Sequence, residues 1–296
     1  MFLFKCCEKV VASQFISHMR ENKLEEIFQS AYKVGHSTES AQLWVHNDVL
    51  CALDDGRCVM LVLLDLSAAF DTVDHGILLS CLSQCIGVQG SAYTWFESYL
   101  SSRSQFVQIR DTSSSDRQLT CGLPQGSLLG PILYLVYTSS LEAILCRQSV
   151  GFHMYADNTH LYLSMKTTKV EDVVSACFRV EVCLCELNQW MLLNNLQLNN
   201  NKTELLVLQA KHHPKPPLDS ITVSDATVEP TGSARNIGAV FDDTISFEEH
   251  VNELCRGAFY RIRNISRIRP YLSIDSTKTL VHALVTSRLD HCNSLL

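Results

Sequence analysis

Gly151-Phe-His-Met-Tyr-Ala-Asp-Asn-Thr-His-Leu-Tyr-Leu163 reads as two short β-strands joined by a tight acidic turn. Phe152 to Tyr155 and Thr159 to Leu163 are the strand-formers on either side. A carboxylate on such a tip points away from the sheet, where a metal ion can sit. Asp157 is followed by an amide, Asn158, so the tip offers one carboxylate rather than two. Asp and Asn are also favoured in hairpin turns for conformational reasons alone, and the turn by itself leaves that plain reading open.

Working outward, Val59 to Leu64 is a continuous apolar run ending at Asp65, as expected of a fully buried strand. Ile77, Leu78, Cys81, Leu82 and Cys85 mark a helix ending near Gly87. Gln105 to Arg110 alternates like a strand and can pair with Gln118 to Cys121. Pro131 suits the first turn of an apolar helix from Ile132 to Val136 and beyond. Val173, Cys177, Val180, Leu184, Leu187 and Met191 give an amphipathic helix over 170–193. Strands are expected at Leu205–Leu208, Ile221–Val223 and Ile237–Phe241, the first followed by a Pro- and His-rich connector, Lys211 to Pro217. Residues 10–55 look helical and polar, with a turn at 34–38 where Ser37 or Thr38 can cap the next helix. Ser91 can cap a short helix carrying Trp95 and Phe96. From Ser246, with Glu249 completing a capping box, the pattern is helical to the end.

Composition bounds what this arrangement can be. The chain has 296 residues, 46% hydrophobic and 19% charged, enough for a sizeable core and against global disorder. The net charge of -7 argues against a surface basic throughout, but not against a local basic groove. The 13 cysteines lie in apolar helical patterns, without a Cys-x2-Cys pair. They read as buried free thiols with no disulfide partner, in an intracellular protein, cytoplasmic or nuclear and not secreted. No apolar run is long enough to span a bilayer, so no membrane partner is expected.

Single elements stay ambiguous. Asp65, with Asp71 and Asp74, could serve a helix N-terminus. Gly122-Leu-Pro-Gln-Gly-Ser could be a plain connector. In combination they resemble a known family. Leu64-Asp-Leu-Ser-Ala-Ala-Phe-Asp-Thr-Val-Asp-His75 is similar to the first palm motif of non-LTR (LINE-type) retrotransposon reverse transcriptases. Gly122 to Pro131 resembles the second motif, and Met154-Tyr-Ala-Asp-Asn158 the third, which in the family ends Ala-Asp-Asp. Leu196 to Glu204 and Ala234 to Asp242 are similar to the two motifs that follow, and Gly35-His-Ser-Thr38 to a fingers motif upstream.

The resemblance implies an α+β right-hand polymerase fold: a palm with an antiparallel sheet, partial helical fingers and a helical thumb. Residues 1–57 would be partial fingers, and 58–210 the palm with a finger-type insertion near 88–121. Residues 211–245 would be a connector and primer-grip-like hairpin, and 246–296 a thumb, with the chain truncated at both ends. The implied reaction is RNA-directed DNA polymerisation, in which dNTPs are added to a DNA primer 3′-end on an RNA template.

The implied cofactor is Mg2+ or Mn2+, held by Asp65, Asp157 and the backbone carbonyl of Leu66. Two such ions roughly 3.5–4 Å apart would bind the attacking and leaving oxygens. Phe70 would exclude a 2′-hydroxyl, Gln125 and Gly126 would approach the nascent base pair, and Lys202 would protonate pyrophosphate. Lys33, where the family often has Arg, would contact phosphate. Arg256, Arg261 and Arg263 would grip duplex phosphates. Core packing for Phe70, and solvation for Lys202 and the arginines, are the competing readings. Asn158 is the degenerate catalytic position, and it leaves open an inactive relic that at most binds RNA or template–primer duplex.

Overall fold

The computed structural model describes residues 2–167, 169–213 and 215–296, so Pro214 of the expected connector lies outside the described residues. In chain order the first elements are α1 (Phe2–Glu21), α2 (Thr38–Asp54), β1 (Cys58–Leu64), α3 (His75–Gln84) and α4 (Gly90–Leu100). Four two-residue strands follow: β2 (Ser104–Gln105), β3 (Gln108–Ile109), β4 (Thr112–Ser113) and β5 (Arg117–Gln118). Next come α5 (Gly130–Thr138), α6 (Leu141–Arg147), β6 (Gly151–Tyr155), β7 (Asn158–Met165), α7 (Val170–Leu193) and β8 (Glu204–Leu208). The last strands are β9 (Ile221–Val223), β10 (Ala226–Val228), β11 (Pro230–Thr231), β12 (Ser233–Asn236) and β13 (Ala239–Asp242). Helices α8 (Glu248–Ile268), α9 (Ile274–Val281) and α10 (Ser287–Asp290) complete the chain.

The five-stranded sheet has the order β11-β8-β1-β7-β6. It is antiparallel except where β11 joins β8 in parallel. Central β1 buries all seven residues because both faces are covered. Met60, Val62 and Leu64 pack with α3, α5 and α7 in the larger core. Val59, Leu61 and Leu63 pack with Val45 and Val49 of α2 and with the β12–β13 hairpin. This mixed architecture is the expected α+β palm-type fold.

Several local expectations change. Residues 22–37 are not helical, and part of this segment pairs with β6 through the Gln29–Met154 bridge. Ser37 caps α2 through a reciprocal box with Ser40. Gln89, not Ser91, occupies the cap of α4 and makes no side-chain cap bond. The strand read over 105–110 is broken into two small exposed ladders, because residues 104–118 have no packed face to hold a longer one. At α8 the Ser246 box does not form. Asp242 takes its place, accepting from the amides of Thr244, Ser246 and Phe247 and from the hydroxyls of Thr244 and Ser246. Of the thirteen thiols only Cys58, Cys183 and Cys292 are buried, so the expectation of buried cysteines holds for a minority.

Candidate active site

The β1–β7 register places Leu64 opposite Thr159, so Asp65 emerges beside the β6–β7 turn. Tyr155 and Asn158 close that turn as a pair, leaving Ala156 and Asp157 as its tip. The two chain segments expected to carry the chemistry thus meet at one end of one sheet. Past β1 the backbone stays in the ladder: Asn199 N–H donates to Asp65 O at 2.9 Å, and Ser67 N–H to Gln197 O at 2.9 Å. That bridge employs the carbonyl of Asp65 and leaves the carbonyl of Leu66 outside it.

The same pairing delivers Lys202, whose Nζ lies 2.7 Å from Asp65 Oδ2. The Lys202 pKa is raised, first by this hydrogen bond and then by the charges of Asp65 and Asp157. The Asp157 pKa is also raised, chiefly by burial and further by the Asp65 charge, while Lys202 opposes the shift. Mutual influence of this kind requires the three groups to be near neighbours. Asn158 faces a cavity of about 280 Å³ together with Asp65, Asn201, Lys202, Glu204 and Arg235.

Phe70 is half-buried. Its ring stacks on Tyr134 with centroids 4.8 Å apart, and its carbonyl accepts from Leu123 N–H at 2.9 Å. Tyr134 is fully buried, and Asp157 and Asp65 reinforce the upward pKa shift that burial imposes on its hydroxyl. The partly exposed ring of Phe70 therefore has a rigid backing close to the carboxylates. Both readings of Phe70, packing and a site wall, describe the same side chain.

The loop from Gly122 is stitched to residues 70–75. Gly122 N–H donates to Val73 O at 2.8 Å, and Gln125 Nε2 donates to Asp71 Oδ1 at 3.2 Å. Gly122 sits at φ +89, where a Cβ would come within 3.1 Å of the Asp71 carbonyl, so this close approach needs glycine. Gly126, at φ +75, has open space around it. Ser127 and Tyr99 both donate to the buried carboxylate of Glu8, which ties the loop to α1.

The remaining expected residues lie elsewhere. The Lys33 ammonium donates to the Glu26 carbonyl, and burial lowers its pKa despite neighbouring Glu25, Glu26 and Glu142. On α8, Arg256 and Arg263 are exposed and fall with Arg267 and Tyr260 on one helical face. Arg261 projects from the opposite side and donates to Gly257 O at 3.0 Å. Within the arginine cluster at 256–269 the structure therefore groups Arg256, Arg263 and Arg267 on one face and sets Arg261 apart.

Gln29, Glu8 and Tyr134 were not foreseen. Gln29 lies in a stretch that reads as polar helix, Tyr134 in an apolar helix and Glu8 in a short N-terminal segment, none of which marks a site. For Glu8 the available signal was a carboxylate on a stripe that turns out to be buried.

The donor set accommodates a hard cation. Asp65 and Asp157 are oxygen ligands at one sheet end, the Leu66 carbonyl adjoins them, and the Lys202 ammonium already acts as a counter-cation there. No cluster of three or more His, Cys, Asp or Glu suited to a metal occurs among the described residues. Such a site would rely on substrate phosphates to complete its coordination, a habit of Mg2+ sites. Among the described residues no helix is long and apolar enough to cross a membrane.

A five-stranded palm-type sheet with an acidic turn against an aspartate-ending central strand points to the polymerase class, and sequence comparison agrees. Residues 1–234 match the family described as reverse transcriptase (RNA-dependent DNA polymerase), and the chain belongs to that family, in its non-LTR (LINE-type) retrotransposon branch. It is 27% identical over 94% of its length to the probable RNA-directed DNA polymerase from transposon BS of Drosophila melanogaster. It is 23% identical over 97% of its length to the RNA-directed DNA polymerase from mobile element jockey of Drosophila funebris. The chain spans about 30% of the length of these curated relatives. Among solved structures it resembles the apo telomerase from Candida tropicalis truncated from its C-terminal domain. The TM-score there is 0.50 at 11% identity, over 80% of this chain and 43% of that one. A Candida tropicalis telomerase with a fragment of telomeric RNA gives 0.50 at 11% identity, over 97% and 45%. At that identity the likeness establishes fold alone.

Proposed function

We propose that the chain is the polymerising core of a retrotransposon reverse transcriptase, adding dNTPs to a primer 3′-end on an RNA template with Mg2+ or Mn2+. The observation that carries this reading is the meeting of Asp65 and Asp157 at one end of the sheet, with Lys202 between charge and solvent. A divalent pair bound there would lower the pKa of the primer hydroxyl and neutralise the leaving pyrophosphate. Asp65 and Asp157 bind and orient. Phe70, braced by Tyr134, limits space beneath the sugar. Gln125 and Gly126 face the new base pair. Lys202 keeps a proton at Nζ that can pass to pyrophosphate once Asp65 is otherwise engaged. Arg256, Arg263 and Arg267 contact duplex phosphates. Lys33, facing Glu26, is left out of this set.

Asn158 favours a second reading, a binding relic without turnover. Its amide removes one charge, and each unit-charge pair at 4 Å is worth about 4 kcal/mol at an effective dielectric of 20. Primer extension with wild type, Asn158→Asp and Asp65→Asn separates the two. The polymerase reading expects activity in wild type, a gain of between tenfold and about a thousandfold in Asn158→Asp, and none in Asp65→Asn. Template binding without extension in both wild type and Asn158→Asp leaves the relic.

A further inference from the structure

We infer that Gln29, a buried residue of the non-helical segment before α2, is the positioning residue that fixes the Ala156–Asp157 peptide and thereby aims the Asp157 carboxylate. The inference rests on the proposed function for its purpose, but not for its geometry.

Strand β6 is the last of the sheet, and a free edge would leave its amides and carbonyls unpaired. Residues 28–30 cover it: Met154 N–H donates to Phe28 O at 2.7 Å, and Ser30 N–H donates to Met154 O at 3.0 Å. This short parallel bridge centres on Gln29, which is 1% exposed. Its side chain then reaches past the strand end to the tip. Gln29 Oε1 accepts from Ala156 N–H at 3.0 Å and from Ala31 N–H at 2.9 Å. Gln29 Nε2 donates to Ala156 O at 3.4 Å.

Those contacts hold the one residue of the tip whose backbone is strained. Ala156 sits at φ +56, a left-handed conformation that alanine adopts at a cost and keeps only where its surroundings enforce it. The carbonyl that Gln29 holds belongs to the peptide linking Ala156 to Asp157. Fixing that plane fixes where the Asp157 Cα, and hence its carboxylate, stands. The task needs an acceptor and a donor on one neutral group of this length. Glutamate would oppose the Ala156 carbonyl with a second acceptor, and leucine would leave the Ala156 amide without its partner.

The test uses the full chain and two readouts, amide hydrogen exchange at Ala156 and Mn2+ affinity, compared at equal folded fraction. Gln29→Leu should speed exchange at Ala156 and weaken Mn2+ binding, each about tenfold, the scale of one lost hydrogen bond. Ser30→Ala removes the neighbouring contact of Ser30 Oγ with His153 Nε2 at 2.8 Å and should leave both unchanged. Adding Ala156→Gly to Gln29→Leu should restore part of the Mn2+ affinity, because glycine takes φ +56 without strain. Should Gln29→Leu fail to fold, Gln29→Met, which keeps the length but offers the Ala156 amide no oxygen acceptor, is read in its place, with shifts in the same direction. Unchanged exchange at Ala156, or Mn2+ affinity equal to wild type in a folded Gln29 variant, overturns the assignment. A wild-type chain with no Mn2+ affinity beyond that of Asp157→Asn instead defeats the metal site of the proposed function. Exchange at Ala156 then still decides whether the clamp exists.

Discussion

Asp65 ends a strand that is covered on both faces, whereas Asp157 rides a two-residue turn on the sheet's outermost hairpin. Asp65 is placed by the core and compensated by a cation, the exposed Lys202. Asp157 is placed by hydrogen bonds from a distant segment, and burial works against its charge. One carboxylate is secure before any ligand arrives. The other is held in a form that a bound cation would relieve. With Asn158 in place of a further carboxylate, the turn side offers a single carboxylate, as the β1 side does.

The largest test removes each charge in turn. Asp65→Asn and Asp157→Asn should each cut primer extension by about a thousandfold if about 4 kcal/mol of transition-state attraction goes with either one. Thermal melting should distinguish them. Asp157→Asn removes a half-buried, unpaired charge and should melt above wild type, while Asp65→Asn only frees an exposed lysine and should melt near it. A lower melting temperature for Asp157→Asn would mean that its charge is structural, and the contrast between the carboxylates would fail.

The turn side also contains a pH-sensitive pair. His153 and His160 face each other across β6 and β7, and burial pulls their pKa values down to about 4 and about 3. Both are neutral in the folded chain, while an unfolded histidine titrates near 6.5. The unfolded state therefore binds more protons below that value, and stability falls as pH drops from about 6.5 towards 4. For His153 the shift corresponds to a loss on the order of 3 kcal/mol. Urea unfolding of His153→Phe at pH 7 and pH 4 should show a drop smaller by that amount. An equal drop in both chains would place the acid sensitivity elsewhere.

A smaller effect concerns Phe70 and the ring that backs it. Phe70→Val leaves Tyr134 unstacked and opens space beneath the sugar. It should relax discrimination against rNTPs by about tenfold, the worth of a few methylene-sized contacts in a pocket. The cleanest measure is the ratio of kcat/KM for dNTP and rNTP in the Asn158→Asp background. An unchanged ratio removes Phe70 from the site.

The same comparison explains what could be read from sequence. Asp65 and the hairpin at Asp157 were legible because their signals are local: the apolar run Val59 to Leu64 with an acid at its end, and strand-formers around an acidic turn. Their supports were not. Gln29 is separated from Ala156 by 127 residues, and Glu8 from Ser127 by 119, so no pattern within either segment announces the contact. The start of α8 misled for a related reason. Ser246 and Glu249 have box spacing, but Phe247 adopts φ +55 and Asp242 gathers the free amides from the strand before. The arginines of 256–269 read from sequence as one cluster, and helical phase separates Arg261 from Arg256, Arg263 and Arg267.

The subtlest prediction tests whether Lys202 links the two sides. Its charge lowers the Asp157 pKa, opposing burial and Asp65, and its ammonium occupies Asp65 Oδ2. Lys202→Met should therefore act on Mn2+ binding in opposite directions at the two ends of the pH range. Near neutrality Asp65 is freed from a competing cation, and binding tightens modestly. On acidification Asp157, with its pKa raised further, takes up its proton at a higher pH than in wild type, and binding is lost sooner. Sign and cause agree: a raised carboxylate pKa means that protons compete with the metal from higher pH downward. The two affinity-against-pH curves should cross. Curves that stay parallel would show that Lys202 serves Asp65 alone and that the two carboxylates bind metal without coupling through it.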